Sequence, residues 1–172
     1  GVYGPKRDWL VITGTNGKTT TTGMLASILD AHGERVGKRS LATGNIGASV
    51  FAALAATPRV DILVLEASSF QLHWAPSLTP DVGVLLNIAD DHIDWHGSFA
   101  AYAADKAAVL RAPKRVVGID DAEAKLVVRE QDLSSREFTQ YAPRPGQVGV
   151  VNGALVVAGD ADRETIELAR TE

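Results

Sequence analysis

The sequence of 172 residues has no cysteine, a single methionine, and aromatic residues at only 6%. The missing cysteines exclude disulfides and thiolate metal sites. A formal charge of −4 and sparse aromatics speak against a surface that coats nucleic acid, which needs clustered cations and stacking rings. Long hydrophobic runs are also absent. Ile62–Leu65 and Val82–Leu86 fall far short of the roughly 20 apolar residues that span a bilayer. The opening Gly1-Val2-Tyr3-Gly4-Pro5-Lys6-Arg7 lacks the apolar core of an export signal. No repeat, low-complexity tract or linker interrupts the chain. The expectation is one soluble, cytoplasmic domain, monomeric, with neither nucleic acid nor membrane as partner. With 45% hydrophobic residues it has enough apolar surface for a sizeable core.

Short apolar runs alternate with amphipathic stretches, the βα rhythm of a mostly parallel sheet flanked by helices. Trp9–Thr13 reads as the first strand. The Gly-rich turn at Gly14–Gly17 leads into a helix with Met24, Leu25, Ile28 and Leu29 as its apolar face, stopping near Gly33. A second helix is expected from about Gly47, with Val50, Phe51 and Leu54 on one side, ending before Pro58. Ile62–Leu65 has the continuous apolar character of a strand covered on both faces, and Val82–Ile88 repeats it. Ser98 should cap a third helix reaching about Arg111, followed by a strand at Arg115–Ile119. Asn152-Gly153 between Val148–Val151 and Ala154–Ala158 predicts a type I′ β-hairpin, a small antiparallel region near the C-terminus. The charged stretch Asp160–Glu172 has no assigned element.

The segment Gly14-Thr15-Asn16-Gly17-Lys18-Thr19, followed by Thr20, sits between a strand and a helix, where a phosphate cradle must lie. Glycines let the backbone wrap an anion, the helix N-terminus faces it, and Lys18 adds a mobile positive charge. Thr19 would offer its hydroxyl to Mg²⁺. The strict phosphate-loop pattern places a glycine where this chain has Ile12, so the loop is a shortened variant. The bland alternative is a Gly-rich turn whose threonines merely cap the helix.

In an open parallel sheet, ligands bind beyond the carboxyl ends of the strands. Two further segments fall there: Glu66-Ala67-Ser68-Ser69-Phe70-Gln71 and Asp90-Asp91-His92-Ile93-Asp94-Trp95-His96-Gly97-Ser98. Glu66 could hold Mg²⁺ opposite Thr19, since that ion takes one or two carboxylates beside phosphate oxygens. Elsewhere it would be read as a solvated loop glutamate. His92 could ligate a metal with Asp91 as its neighbour. Asp91, His92, Asp94 and His96 also resemble a transition-metal cluster, although a phosphate loop favours a hard cation. Phe99, Tyr102, Lys106 and Leu110 share a helical face, so Lys106 is either partly desolvated, and nucleophilic toward carbon dioxide, or a snorkelling lysine.

Taken together, Gly-Thr-Asn-Gly-Lys-Thr, Gly44-Asn45-Ile46-Gly47, Glu66-Ala-Ser-Ser-Phe-Gln-Leu72, Asp91-His-Ile-Asp-Trp-His-Gly97 and Tyr102…Lys106 resemble the central, ATP-binding domain of the Mur ligases, the peptidoglycan-precursor synthetases. The resemblance covers essentially residues 1–172 and implies a fold like the phosphate-loop NTPases. Gly44–Gly47 and Ser68–Leu72 are most similar to members that add D-glutamate to UDP-N-acetylmuramoyl-L-alanine. The aspartate–histidine segment is shared with the members that add a diamino acid next.

The family implies ATP and Mg²⁺ as cofactors, with Gly14–Thr20 on the phosphates. Thr19 and Glu66 would hold one Mg²⁺, and His92 a second with Lys106, if carbamylated, as an extra carboxylate. Asn45, Ser68 and Gln71 would line the substrate or cation site. The muramoyl-alanine carboxylate would attack the γ-phosphate, and the D-glutamate amine would then attack the acyl phosphate. The family's ligases also carry an N-terminal UDP-binding domain and a C-terminal domain, so this stretch alone is not expected to catalyse ligation. A nucleotide-binding NTPase module without ligase chemistry is the competing reading; it would need the loop and one carboxylate, but neither His92 nor Lys106.

Overall fold

The computed structural model describes residues 6–159 and 164–170. Gly1–Pro5 and parts of the final charged stretch (160–163, 171–172) lie outside the described residues. A nine-stranded sheet runs in the order β2-β3-β1-β4-β5-β6-β7-β8-β9. The strands are β1 (Asp8–Thr13), β2 (Ser40–Gly44), β3 (Ile62–Glu66), β4 (Val82–Leu85), β5 (Lys114–Gly118), β6 (Arg136–Phe138), β7 (Val148–Val151), β8 (Ala154–Val157) and β9 (Ile166–Arg170). Pairing is parallel from β2 across to β7, and antiparallel for β7–β8 and β8–β9. This is the expected α/β architecture with an antiparallel region near the C-terminus.

The helices are α1 (Lys18–Val36), α2 (Val50–Ala55), α3 (Ser69–His73), α4 (Ile93–His96), α5 (Phe99–Ala107) and α6 (Ala122–Glu130). None of the described helices is long and apolar enough to cross a membrane. All five residues of β3 are buried, as its apolar run predicts for a strand with neighbours on both sides and cover on both faces. Val11, Leu65, Leu85 and Val117 face one side of the sheet with Tyr102 and Leu110. Ile12, Val64 and Val84 face the other, against Ala26, Leu25 and Leu29. The chain builds β2 and β3 beside β1, then crosses back over β1 to β4. The carboxyl end of β1 is therefore the switch point where such sheets bind ligands.

Several details differ from the sequence reading. Helix α1 runs through Gly33 and stops at Gly37, which takes φ 67° and donates its N–H to the Gly33 carbonyl. Both glycines satisfy a stop rule on paper, but only Gly37 adopts the left-handed conformation that ends a helix. Met24 and Ile28 are 62% and 63% exposed, because α1 packs through Thr22, Leu25, Ala26, Leu29 and Gly33 instead. Small residues there let the helix lie close to the sheet. Phe51 also points outward, while Val50 and Leu54 pack inward. Strand β4 ends at Leu85 rather than Ile88. Helix α5 begins at the Ser98 cap but tightens into a 3₁₀ turn over Ala108–Arg111. Elements β2, α3, α4, α6, β6 and β9 are additions, β9 arising within the unassigned charged stretch. The hairpin turn forms with Asn152 at φ 49° and Gly153 at φ 73°.

Candidate functional site

Backbone pairing draws the carboxyl ends of four strands into one rim. Asn45 N–H donates to the Glu66 carbonyl (3.1 Å), Ala67 N–H to Ile12 (2.9 Å), and Thr15 N–H to Asn87 (3.1 Å). The loop Gly14–Gly17 crosses the centre of this rim. Asn87 clamps it from the end of β4, its Oδ1 accepting from Asn16 N–H (2.8 Å) and its Nδ2 donating to Asn16 O (3.1 Å). Thr15 Oγ1 accepts from Ala89 N–H (2.9 Å) and lies 2.9 Å from the Tyr102 hydroxyl. Burial raises the Tyr102 phenol pKa, which keeps this bridge a protonated hydroxyl.

Gly17 is the N-cap of α1 at φ 82°, and no side chain caps the helix. The threonines therefore do not serve the capping role that was the bland alternative. Thr19 and Thr20 stand exposed on the first turn. A 19-residue helix with an uncapped N-terminus behind a tight loop is suited to an anion. Lys18 folds back over that loop, its Nζ donating to Gly14 O (3.0 Å) and Thr15 O (2.9 Å).

Lys106 reaches the same carbonyl from α5. Its Nζ donates to Gly14 O at 2.8 Å and lies 4.8 Å from the centroid of the Tyr102 ring. The residue is only 2% exposed, so it does not snorkel. One charged hydrogen bond contributes about 1.5–3 kcal/mol, whereas desolvating an ammonium costs several. Burial first, and the neighbouring Lys18 charge second, push the Lys106 pKa down to about 8, with Asp91 opposing. Two lysines from separate elements thus converge on one oxygen.

Glu66 ends β3 and is 1% exposed, which removes the solvated-loop reading. Its Oε1 accepts from Asn45 Nδ2 (3.2 Å), but Oε2 is buried with no hydrogen-bond partner among the described residues. An unpaired buried carboxylate oxygen is expensive, and a hard cation would satisfy it. The orphaned Glu66 oxygen therefore fits a hard cation such as Mg²⁺, and the loop with Lys18 fits phosphates.

The remaining predicted residues are placed less tightly. Ser68 and Gln71 form the capping box of α3, with Ser68 N–H donating to Gln71 Oε1 (2.8 Å) and Gln71 N–H to Ser68 Oγ (3.2 Å). His92 is the N-cap of α4 at φ 52°; its ring is half exposed, near Phe70 (4.8 Å) and Asp91 (3.4 Å). Asp91, His92, Asp94 and His96 do not converge. Among the described residues no group of three or more His, Asp or Glu is placed to hold one ion, and His96 turns inward. Sequence reasoning missed Asn87 and the Thr15–Tyr102 bridge. Asn87 is the polar interruption inside the expected Val82–Ile88 strand and could have been noticed; the bridge joins residues 87 positions apart and leaves no local signal.

The family model for the Mur ligase middle domain matches residues 12–152. The UDP-N-acetylmuramoylalanine–D-glutamate ligase of Corynebacterium diphtheriae is 51% identical over 173 residues, covering 98% of this chain and 36% of that protein. The chain thus spans about a third of the length of the curated relatives it matches. Among solved structures, a UDP-N-acetylmuramoyl-L-alanyl-D-glutamate–2,6-diaminopimelate ligase superposes with TM-score 0.74 at 18% identity, over 96% of this chain and 39% of that one. The MurF ligase from Thermotoga maritima, in complex with ADP, superposes with TM-score 0.62 at 20% identity, over 96% and 41%. At such identities these two structures speak to the fold alone. The family match and the level of identity to a named ligase leave one conclusion: this chain belongs to the Mur ligase family and carries its middle domain.

Proposed function

We propose that this chain is the ATP-binding centre of a ligase that joins D-glutamate to UDP-N-acetylmuramoyl-L-alanine. The observation that carries the reading is the meeting of Lys18 and Lys106 on the Gly14 carbonyl, on the same rim as the unpaired Glu66 oxygen. A plain NTPase loop accounts for Lys18 but gives no reason to bury a second lysine there. The name and 51% identity of the diphtherial relative support D-glutamate as the incoming amino acid. ATP as co-substrate places the reaction in the cytoplasm.

In this reading the backbone of Gly14–Gly17 and the first turn of α1 (Lys18, Thr19, Thr20) receive the phosphates. Lys18 exchanges its two carbonyl acceptors for phosphate oxygens. Thr19 and Glu66 hold one Mg²⁺, and His92 with Lys106 a second. Bound Mg²⁺ supplies neutralisation of phosphate charge during transfer. Lys106 serves as a carbamate: its lowered pKa makes the neutral amine accessible, and carbamylation replaces a positive charge beside Lys18 with a negative one. Asn45 orients the Glu66 carboxylate through its amide. Gln71 spends its Oε1 on the α3 cap, and its Nε2 has no partner among the described residues, which leaves a donor for the substrate carboxylate. The chain's contribution is positioning and charge neutralisation, through which the acyl phosphate forms.

The deciding experiment follows phosphate release by the full-length protein given Mg-ATP and UDP-N-acetylmuramoyl-L-alanine. D-glutamate, L-lysine or meso-diaminopimelate is offered, with the dipeptide-bearing precursor as a parallel acceptor. Release that requires D-glutamate and the mono-alanyl precursor is expected. A requirement for a diamino acid and the dipeptide precursor would move the enzyme one step along. Release indifferent to every acceptor would leave an NTPase.

A further inference from the structure

Ser69, His96 and Asp105 form a hydrogen-bonded series that none of the roles above uses. The His96 side chain is fully buried; its Nδ1 lies 2.8 Å from Asp105 Oδ2 and its Nε2 3.0 Å from Ser69 Oγ. The Asp105 carboxylate can only accept, so Nδ1 is the donor of that bond, and Nε2 is left to pair with the Ser69 hydroxyl. This is the connectivity of a hydrolase triad. Ser69, however, is 2% exposed and its imidazole is sealed, so no acyl group can approach Oγ. The series acts inside the protein.

Its ends lie at the candidate site. Ser69 opens α3 directly after Ser68, and Asp105 precedes Lys106 on α5. His96 closes α4, its own N–H donating to the His92 carbonyl at 3.2 Å. One imidazole therefore joins the three elements that carry Ser68 and Gln71, His92, and Lys106. Helices of five and four residues such as α3 and α4 cannot hold themselves and depend on tertiary contacts. Asp105 is fixed again by His73, whose Nδ1 lies 3.0 Å from Oδ2.

We propose that His96 is a positioning residue, which through its Nδ1–Asp105 bond sets the rotation of α5 and holds Lys106 Nζ on the Gly14 carbonyl. The inference rests on the reading of Lys106 as a site residue. The competing role is space filling, since His96 also packs against Trp95 (4.6 Å) and Tyr102 (5.2 Å).

Two substitutions in the full-length protein separate these roles. His96→Phe keeps a ring and loses both hydrogen bonds; His96→Asn loses the ring but keeps an amide N–H near the position of Nδ1. The readout is the rate at which acetic anhydride modifies Lys106, followed by mass spectrometry, alongside kcat and KM for phosphate release. His96→Phe should modify Lys106 at least about 5-fold faster and lower kcat about 10-fold, with KM for Mg-ATP within about 2-fold. His96→Asn should stay within about 2-fold of wild type in labelling. Wild-type protection of Lys106 in His96→Phe, or equal loss in both variants, would overturn the proposal. Should His96→Phe fail to fold, Asp105→Ala cuts the same bond from the other side and is held to the same expectations. If the wild-type protein shows no D-glutamate-dependent phosphate release, the ligase reading fails, and the labelling still decides the role of His96.

Discussion

The two halves of the sheet treat the same kind of residue in opposite ways. In β3 every side chain is buried, with β2 and β1 on either side and helices over both faces. At the far edge, β9 carries Ile166 and Leu168 exposed by more than half. The apolar side chains of Val150, Val151 and Leu155 in the hairpin are also exposed. Every residue assigned a role in the site belongs to the covered half; the antiparallel half contributes none. Cover excludes water, and without water an unpaired Glu66 oxygen or a desolvated Lys106 becomes a strong electrostatic element. The same side chains on β9 would be solvated and inert.

The largest effect should come from Lys18→Ala in the full-length protein. Phosphate release should fall about 1,000-fold while the melting temperature holds, because Lys106 still donates to the Gly14 carbonyl once the Lys18 bonds are lost. A fall of less than 10-fold would detach the loop from the chemistry.

Next is Gly83→Ala on β4, where an added Cβ would sit 2.0 Å from the Val109 carbonyl oxygen. Backbone cannot step aside as a flexible side chain can, so a loss of roughly 3 kcal/mol is expected by urea titration. Near-wild-type stability would show that the covered half is looser than its packing implies.

Lys106→Met sharpens the contrast through pH. In the folded chain Lys106 releases its proton near pH 8, while unfolded it holds the proton to about 10.5. Between those values the unfolded state binds more protons, so wild-type stability gains on that of the Met variant as pH rises. The relative gain across the window should approach about 3 kcal/mol, measured as the difference of two urea titrations at each pH. A gap independent of pH would mean that the ammonium is hydrated. The smallest effect belongs to the open half: Leu168→Ala should change stability by less than about 0.5 kcal/mol.

Local rules located the strands that matter. Ile62–Leu65 announced a doubly covered strand through its continuous apolar run, and Asn152-Gly153 announced its turn through the conformations those residues tolerate. They failed where the answer depended on a partner. Met24 and Ile28 look like a core face on a helical wheel, yet α1 turns its small residues to the sheet. Strands β6 and β9 are short and carry no continuous apolar run, and each exists because a neighbouring edge offers hydrogen bonds. Ser68 and Gln71 enter the list of substrate residues through the family resemblance. The structure adds that they also cap α3, a role the spacing of serine and glutamine three apart could have announced.

By itself the sequence determined the phosphate loop, the βα order, and a lysine on the apolar face of α5, because each depends on residues close together in the chain. Only the tertiary structure decided that Lys106 meets Lys18 at the Gly14 carbonyl, across 92 residues. It alone left one Glu66 oxygen without a partner among the described residues and sealed His96 between Ser69 and Asp105. Burial and long-range hydrogen bonds are properties of the packed sheet, and no window of sequence contains them.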